Sequence, residues 1–144
     1  MTRVTRRYRF SASHRLHARQ LGAEENRRLY GKCNNPYGHG HDYELQVSVR
    51  GPVDARSGRV VDPRVLDRVV REQVLERYAH RNLNTECEEF RTVVPTSENL
   101  AREIARRLKH NWAAAFSSDG PRLEKIRIAE TPRNIFEIDA DEIE

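Results

Sequence analysis

Two histidines separated by a single residue form the sequence feature with the clearest chemical meaning. They lie in the segment Gly38-His39-Gly40-His41, which leads into a run of alternating apolar and polar residues that is typical of a β-strand. Side chains two positions apart on a strand point the same way, so the rings of His39 and His41 can reach one metal ion. The flanking glycines leave room for a backbone or a substrate to approach closely.

A third histidine, His14, comes just after the first predicted strand, which extends from Val4 to Ala12. If this strand pairs with the one that begins at His41, His14 lies beside His39 and His41. Three imidazoles without a fourth protein ligand are typical of a catalytic zinc site with an open coordination position. The sequence therefore predicts a zinc site at His14, His39 and His41. The alternative is that these are unrelated surface or core histidines.

Cys33 and His80 are candidates for proton transfer. Cys33 follows Lys32 and precedes His39 by six residues. A neighbouring cation and a nearby metal ion both lower the pKa of a thiol, which favours the thiolate. Cys33 is therefore a candidate general base or nucleophile, with a small structural cysteine as the alternative. His80 follows the first long predicted helix, where a helix C-terminal cap is the simpler interpretation.

Glu130 and the segment Thr96-Ser97-Glu98 are candidates for substrate binding. Glu130 shares the apolar face of a predicted strand with Ile126 and Ile128, where a carboxylate needs a partner. That partner is either an arginine or a flat heterocycle that carries adjacent N–H groups. Thr96-Ser97-Glu98 is most simply a helix cap, although the free amides of a helix start can also hold a ligand.

The elements that must position these residues alternate between strands and helices. A helix is predicted after Asp62-Pro63, and a second one after Pro95 with Thr96 or Ser97 as its cap. Residues 13–38 are predicted to form an irregular loop. Strands are predicted at 4–12, 41–49, 59–61, 123–130 and 134–139. This order predicts an α+β domain with helices on one face of a sheet.

The composition fits one domain that spans residues 1–144. The chain has a mass of 16.8 kDa, 37% apolar residues, 33% charged residues and a mean hydropathy of −0.86. No apolar run approaches the length of a membrane span, about 20 residues, and arginines interrupt the start of the chain where a secretory signal would lie. Two cysteines are too few for a disulfide scaffold, which favours a cytoplasmic location. The net charge of +4 is scattered, so we expect neither nucleic acid nor a membrane as a partner.

Five motifs together resemble the family of 6-pyruvoyltetrahydropterin synthases and 6-carboxytetrahydropterin synthases. They are Ser11–Leu16, Gly31–His41, His80–Asn84, Pro95–Leu100 and Glu130–Thr131, and the likeness extends from about residue 8 to residue 138. The resemblance implies the tunnelling fold, an antiparallel four-stranded sheet with two helices on one face. It also implies that subunits close into an oligomeric barrel of trimers, and that two trimers stack into a hexamer.

The same resemblance implies a substrate and a metal. The substrate is 7,8-dihydroneopterin triphosphate, whose side-chain hydroxyls occupy the open positions of a zinc ion held by three histidines. His14, His39 and His41 match those ligands. Triphosphate is lost and 6-pyruvoyltetrahydropterin forms, a step on the route to tetrahydrobiopterin. Magnesium commonly assists with the triphosphate.

The remaining site residues are also matched by position. The resemblance implies that Cys33 moves protons on the side-chain carbons and that His80 is its acid–base partner. It implies that Glu130 anchors the pterin through its amino and ring N–H groups. Residues near the pterin ring are matched by Thr96, Ser97 and Glu98.

The sequence departs from the family at one position. The family usually has aspartate directly before the catalytic histidine, whereas this chain has Ala79. Such a carboxylate orients an imidazole and stabilises its charged form. Three consequences of its absence are open: proton transfer is slower, a different product forms, or another acid takes the same role.

The favoured interpretation is a zinc-dependent carbon–oxygen lyase that makes 6-pyruvoyltetrahydropterin. The six-residue spacing from Cys33 to His39 favours it over 6-carboxytetrahydropterin synthase, an enzyme of the deazapurine and queuosine route, in which that spacing is usually shorter. A cysteine rather than a glutamate counts against cleavage to 6-hydroxymethyl-dihydropterin. The non-enzyme alternatives are a pterin-binding or metal-binding homologue without turnover and a nucleic-acid module.

Overall fold

Four antiparallel strands form one sheet in a computed structural model that describes residues 1–144. The strands lie in the order β1-β2-β3-β4 and span Thr2–His14 (β1), His39–Gly51 (β2), Arg122–Thr131 (β3) and Asn134–Asp139 (β4). The α-helices are Ala23–Tyr30 (α1), Pro63–Val70 (α2), Glu76–Tyr78 (α3), Leu83–Glu86 (α4) and Ser97–His110 (α5). No helix combines the length and the apolar character that crossing a membrane requires. The predicted α+β class and four-stranded sheet are confirmed.

β1 and β2 pair along their whole length. The register places Ala12 opposite His41 and His14 opposite His39. This is the pairing that the sequence analysis required in order to bring the third histidine beside the other two. The antiparallel register fixes which side chains become neighbours at the end of the sheet.

Two long helical segments cover the apolar face of the sheet. The first consists of α2, a wide turn at Arg71–Leu75 and α3, and the second is α5. The Asp62 side chain caps α2 by accepting a hydrogen bond from the backbone N–H of Arg64. The Thr96 side chain caps α5 by accepting one from the N–H of Asn99 at 3.2 Å. Both helix starts agree with the sequence prediction.

The core lies between this helical layer and the sheet. Its fully buried side chains alternate along the strands and recur every three or four residues along the helices, as the apolar pattern predicts. They include Tyr43, Leu45, Leu66, Tyr78, Leu100, Ile104, Leu108, Ile126 and Ile128. Each such side chain contributes about 1.5–3 kcal/mol relative to an exposed one. The core therefore holds the end of the sheet that carries the histidines.

The prediction of an irregular loop over residues 13–38 was wrong, because this segment contains α1 and a tight turn at Gly31–Asn34. The buried residue of α1 is polar: Asn26 donates from Nδ2 to the carbonyl oxygens of Ala18 at 2.9 Å and Leu21 at 3.1 Å. Because α1 is held in place by hydrogen bonds of a polar side chain, its sequence lacks the helical repeat of apolar residues. The sequence analysis therefore did not predict this helix.

The predicted short strand at 59–61 was also wrong. Val60 and Val61 belong to the buried core cluster but join no strand. The turn before them is held by Asp54, whose carboxylate accepts backbone hydrogen bonds from Arg56 and Ser57. Apolar burial alone therefore produced the pattern that resembled a strand.

After α3, the chain runs beside the outer edge of β1. The N–H of His80 donates to the carbonyl oxygen of Ser11 at 2.6 Å, and the N–H of Ser13 donates to that of Arg81 at 2.9 Å. His80 has a φ of 61°, in the left-handed region that non-glycine residues seldom adopt. These bonds hold His80 at the end of β1 that carries His14.

A part-buried ion pair fixes the end of α3. Arg77 donates to Glu89 from Nε at 3.0 Å and from Nη2 at 2.6 Å, and the Tyr78 hydroxyl donates to Glu89 at 2.8 Å. Burial opposes ionisation of Glu89, but the hydrogen bonds from Arg77, its own backbone and Tyr78 lower its pKa to about 2. The pair anchors the residues that lead to His80.

Candidate metal and substrate site

The three predicted metal ligands meet at one end of the sheet. One ring nitrogen from each of His14, His39 and His41 lies within 4.8 Å of the others. His14 is fully buried, and the other two are partly buried. His14 pairs with His39 across β1 and β2, and His41 is two residues further along the same face of β2. Three imidazoles this close can hold one metal ion.

A backbone hydrogen bond sets the tautomer of His14. Its Nδ1 lies 2.8 Å from the carbonyl oxygen of Pro95, so Nδ1 carries the proton and Nε2 keeps a free lone pair. That Nε2 lies 3.2 Å from Nε2 of His39, while Nδ1 of His39 and Nε2 of His41 are buried without a hydrogen-bond partner. Buried polar atoms rarely lack partners, and a metal-bound imidazole usually donates from its other nitrogen. The donor set therefore fits a metal ion.

Burial keeps the imidazoles of His14 and His39 uncharged. It lowers the pKa of His14 to about 4, outweighs the opposing hydrogen bond to Pro95, and acts in the same direction as the neighbouring His39 and His41. Burial, followed by the proximity of His41, also lowers the pKa of His39. Metal ions bind the neutral form of imidazole. The ligand nitrogens of His14 and His39 are therefore available at neutral pH.

The carboxylate of Glu130 faces the same centre. Its Oε1 lies 3.4 Å from Nε2 of His41 and 3.7 Å from Nε2 of His14, and the side chain is 14% exposed. Its ion-pair neighbours are these imidazoles, so the arginine partner that the sequence left open is absent. A carboxylate held here can accept hydrogen bonds from a ligand beside the metal.

Cys33 lies on the turn that precedes β2, and its carbonyl oxygen accepts a hydrogen bond from the N–H of Leu16 at 2.8 Å. Burial raises the pKa of the Cys33 thiol, and the negative charge of Glu130 raises it further. The expectation that Lys32 would lower this pKa was therefore wrong for the chain without a metal ion. Cys33 precedes His39, the first residue of β2, by six residues.

His80 lies at the surface, whereas α5 starts two residues after Pro95, whose carbonyl oxygen contacts the buried His14. The side chain of His80 is exposed, and the residue lines a cavity together with His41. At the start of α5, Thr96 is the helix cap, Ser97 is buried with 3% exposure, and Glu98 is exposed. The helix-cap interpretation of this segment is confirmed for Thr96.

Two positioning contacts escaped the sequence analysis. One is the hydrogen bond that the carbonyl oxygen of Pro95 accepts from Nδ1 of His14. The other is Asn84, which accepts from the N–H of Arg15 at 2.7 Å and donates to its carbonyl oxygen at 2.8 Å. This pair of bonds fixes the backbone directly after His14. Asparagines in the segment Asn82-Leu83-Asn84 were a visible signal, but only the fold shows which backbone they bind.

A cationic cavity of about 330 Å³ adjoins the metal centre. Arg15, directly after His14, and Gly38, directly before His39, both line it. The formally charged residues of its lining are Arg15, Arg19 and Arg91, with no carboxylate among them. Arginine clusters of this kind attract and bind phosphates.

Comparisons with known proteins agree with this geometry. Residues 3–141 match the family model described as 6-pyruvoyl tetrahydropterin synthase. The chain is 44% identical over 132 residues to a 6-pyruvoyl tetrahydrobiopterin synthase of Poecilia reticulata, covering 92% of this chain and 86% of that protein. It is 31% identical to a 6-carboxy-5,6,7,8-tetrahydropterin synthase of Haemophilus influenzae, over 74% of this chain and 84% of that protein.

A solved structure extends the likeness to three dimensions. The 6-pyruvoyl tetrahydropterin synthase of Caenorhabditis elegans superposes with a TM-score of 0.86 at 42% identity, covering 96% of this chain and 94% of that one. With the family model matched over nearly the whole length, the chain belongs to the 6-pyruvoyl tetrahydropterin synthase family.

Proposed function

We propose that this chain is a metal-dependent carbon–oxygen lyase that converts 7,8-dihydroneopterin triphosphate to 6-pyruvoyltetrahydropterin and releases triphosphate. The observation that carries the proposal is the convergence of three imidazoles and one carboxylate. The ring nitrogens of His14, His39 and His41 lie within 4.8 Å of one another, and Glu130 lies 3.4 Å from His41.

Zinc is the metal we assign to His14, His39 and His41, because three imidazoles with an open position suit zinc. A zinc ion there would acidify substrate hydroxyls and polarise a carbonyl group. The Pro95 carbonyl supports this assignment, since it leaves Nε2 of His14 free to bind. We assign magnesium to the substrate triphosphate.

We assign substrate binding to Glu130 and proton transfer to Cys33 and His80. Glu130 accepts hydrogen bonds from the amino and ring N–H groups of the pterin, which orients the side chain of the substrate toward the metal. Cys33 transfers protons on the side-chain carbons, and His80 exchanges protons as its partner. The start of α5 completes the pterin pocket with Thr96, Ser97 and Glu98.

The cationic cavity supports an anionic substrate. It is lined by Arg15, Arg19 and Arg91. Arg15 directly follows His14, so the cavity lies next to the three histidines. A triphosphate bound there would remain close to the side chain from which it is eliminated. Guanidinium groups also stabilise the charge of a departing triphosphate.

The 6-carboxytetrahydropterin synthase reaction on the same substrate is the second candidate. It is favoured by the 31% identity to a 6-carboxy-5,6,7,8-tetrahydropterin synthase, and disfavoured by the 44% identity over more of the chain to a 6-pyruvoyl tetrahydrobiopterin synthase. A pterin-binding protein without turnover is the third candidate, because Ala79 offers no carboxylate to His80.

We further propose a homo-oligomer, a hexamer formed by two stacked trimers. The outer strands support it, because β1 and β4 lie at the edges of the sheet and carry opposite charge. Arg7 and Arg9 on β1 are 73% and 84% exposed, whereas β4 carries Glu137 and Asp139. Pairing of β4 of the next copy with the part of β1 before Ser11 would satisfy the backbone groups that remain free at these edges. Sedimentation equilibrium would give the mass, and a monomer would contradict this assembly.

The reaction is tested by incubating zinc-loaded protein with 7,8-dihydroneopterin triphosphate and magnesium, followed by mass spectrometry of the pterins. A 6-pyruvoyl product supports the proposal. A 6-carboxy product with acetaldehyde assigns the chain to the second candidate. Unchanged substrate, with zinc and pterin bound, assigns it to the third.

A further inference from the structure

A cavity of about 550 Å³ beside the metal centre brings His80 together with two carboxylates, those of Asp42 and Glu86. Ser11 and His41 line the same cavity. The other basic residue there is Arg81. The cavity therefore holds the candidate proton-transfer imidazole and the groups able to orient it.

An imidazole that transfers protons needs an acceptor that fixes its ring and stabilises its cation. The chain neighbours of His80 are Ala79 and Arg81. Alanine has no acceptor, and arginine has donors only. The acceptor for the ring must therefore come from another element of the fold.

Asp42, Ser11 and His80 form one row across the edge of the sheet. The register pairs Ser11 with Asp42, and Oγ of Ser11 donates to Oδ1 of Asp42 at 2.5 Å. On the other side of β1, the N–H of His80 donates to the carbonyl oxygen of Ser11 at 2.6 Å. Ser11 thus contacts His80 through its backbone carbonyl and Asp42 through its hydroxyl. A hydroxyl that donates to a carboxylate keeps lone pairs that can accept from a ring N–H, and the carboxylate strengthens that acceptor.

The second carboxylate of the cavity, that of Glu86, already accepts a hydrogen bond from another part of the chain. Oε2 of Glu86 accepts from the N–H of Asn82 at 2.6 Å, at the start of α4. The Asn82 side chain in turn accepts from the N–H of Asn84 at 3.0 Å. Glu86 therefore stabilises a local helix start, whereas Asp42 is bonded to the residue that holds His80.

We propose that Asp42, acting through the hydroxyl of Ser11, positions the imidazole of His80. The inference rests on the proposed function, in which His80 exchanges protons with the substrate. The ring N–H of His80 donates to Ser11, and Ser11 donates to Asp42, so the ring is held in one tautomer and its cation is stabilised. Asp42 follows His41 but lies on the opposite face of β2, because side chains alternate along a strand.

Steady-state kinetics of the zinc-loaded protein with 7,8-dihydroneopterin triphosphate tests the proposal. Asp42→Asn and Ser11→Ala are each expected to lower kcat by about 10- to 100-fold while KM stays within about twofold, since acid–base groups act on the chemical step. The matched control, Glu86→Gln, removes the same charge from the same cavity and is expected to keep kcat within about twofold of wild type. Adding Ala79→Asp to Asp42→Asn is expected to restore most of the lost kcat.

Equal effects of Asp42→Asn and Glu86→Gln, or full activity of Ser11→Ala, would overturn the proposal. Zinc content is measured for every variant. If Asp42→Asn loses zinc through its neighbour His41, the result for Ser11→Ala decides alone, because Ser11 is on the other strand.

A readout independent of turnover separates this inference from the proposed function. Long-range ¹H–¹⁵N NMR of the zinc-loaded protein without substrate reports which ring nitrogen of His80 carries the proton. We expect one tautomer in the wild type and a mixture in Ser11→Ala and Asp42→Asn. The same ring signals in all three proteins would overturn the relay even in an active enzyme. A single wild-type tautomer that the variants lose, in a protein without turnover, would support the relay and contradict the proposed reaction.

Discussion

Oε1 of Glu130 lies 3.4 Å from Nε2 of His41, on strands that are neighbours in the sheet. The carboxylate belongs to β3 and the imidazole to β2, so the β2–β3 pairing brings the proposed pterin anchor and a proposed metal ligand to one centre. A heterocycle bound to Glu130 would place its substituents at the metal.

Replacing Glu130 with glutamine is expected to weaken pterin binding while zinc stays bound. The amide keeps the shape but loses the charge, and hydrogen bonds to a charged group contribute about 1.5–3 kcal/mol. Isothermal titration with the pterin is therefore expected to show roughly a tenfold or greater loss of affinity. Glu98→Gln, at an exposed position beside the same pocket, is the comparison variant and is expected to lose less affinity. Unchanged affinity in Glu130→Gln would contradict its role as the anchor.

Replacing any one of His14, His39 or His41 with alanine is expected to remove the bound metal. Two imidazoles hold zinc far more weakly than three. Metal analysis after dialysis, together with circular dichroism to check the fold, measures the loss. The exposed histidine variant His110→Ala is the control and is expected to keep one zinc per chain. Stoichiometric zinc in all three ligand variants would refute the site.

Replacing Cys33 with alanine is expected to keep the fold and the zinc but abolish turnover, because the chain has a single other thiol to take over the proton transfer. The second cysteine, Cys87, is buried among core residues. Cys87→Ala therefore serves as the control and is expected to reduce stability while keeping kcat. Product formation by Cys33→Ala at the wild-type rate would exclude the thiol from proton transfer.

Arg19→Gln and Arg91→Gln are each expected to raise KM for the triphosphate substrate by about tenfold or more, with little change in zinc content. Each removes one cation from the cavity beside His14, and a charge-assisted contact to phosphate contributes about 1.5–3 kcal/mol when well formed. Arg64→Gln, at a side chain that is 91% exposed outside this cavity, is the control. If all three variants behave alike, triphosphate binds elsewhere.

Part of the stability lost on acidification below pH 5 is expected to come from Glu89. Its folded pKa is about 2, against an ordinary value of 4.5, so the ion pair with Arg77 stabilises the fold above pH 4.5. That contribution is lost as the pH falls from about 4.5 to about 2. Glu89→Gln is expected to lower the free energy of unfolding by about 2 kcal/mol at pH 7 and to have little effect near pH 2. Urea unfolding at both pH values measures this, with exposed Glu88→Gln as the control.

Local patterns carried much of the information needed for the fold. Strict alternation from His41 to Val49 specified a half-buried strand, and Asp62-Pro63 specified a helix start, because both depend on residues close in sequence. α1 was missed because its anchor is Asn26, a buried amide that apolar periodicity does not detect. Val60 and Val61 were misassigned because a buried loop residue and a buried strand residue look alike over so short a segment.

The sequence by itself determined that His39 and His41 are candidate ligands of one metal ion, because their spacing on a strand places both rings on one face. It also determined that Cys33 and Glu130 were chemically unusual in their local context. Tertiary structure alone decided three further points. It paired His14 with His39, it set the tautomer of His14 through Pro95, and it aligned Asp42, Ser11 and His80 in one row. The physical reason is that the register of paired strands and the positions of backbone carbonyls bring together residues that are far apart in the chain. The local periodicity and propensity of side chains do not identify those distant partners.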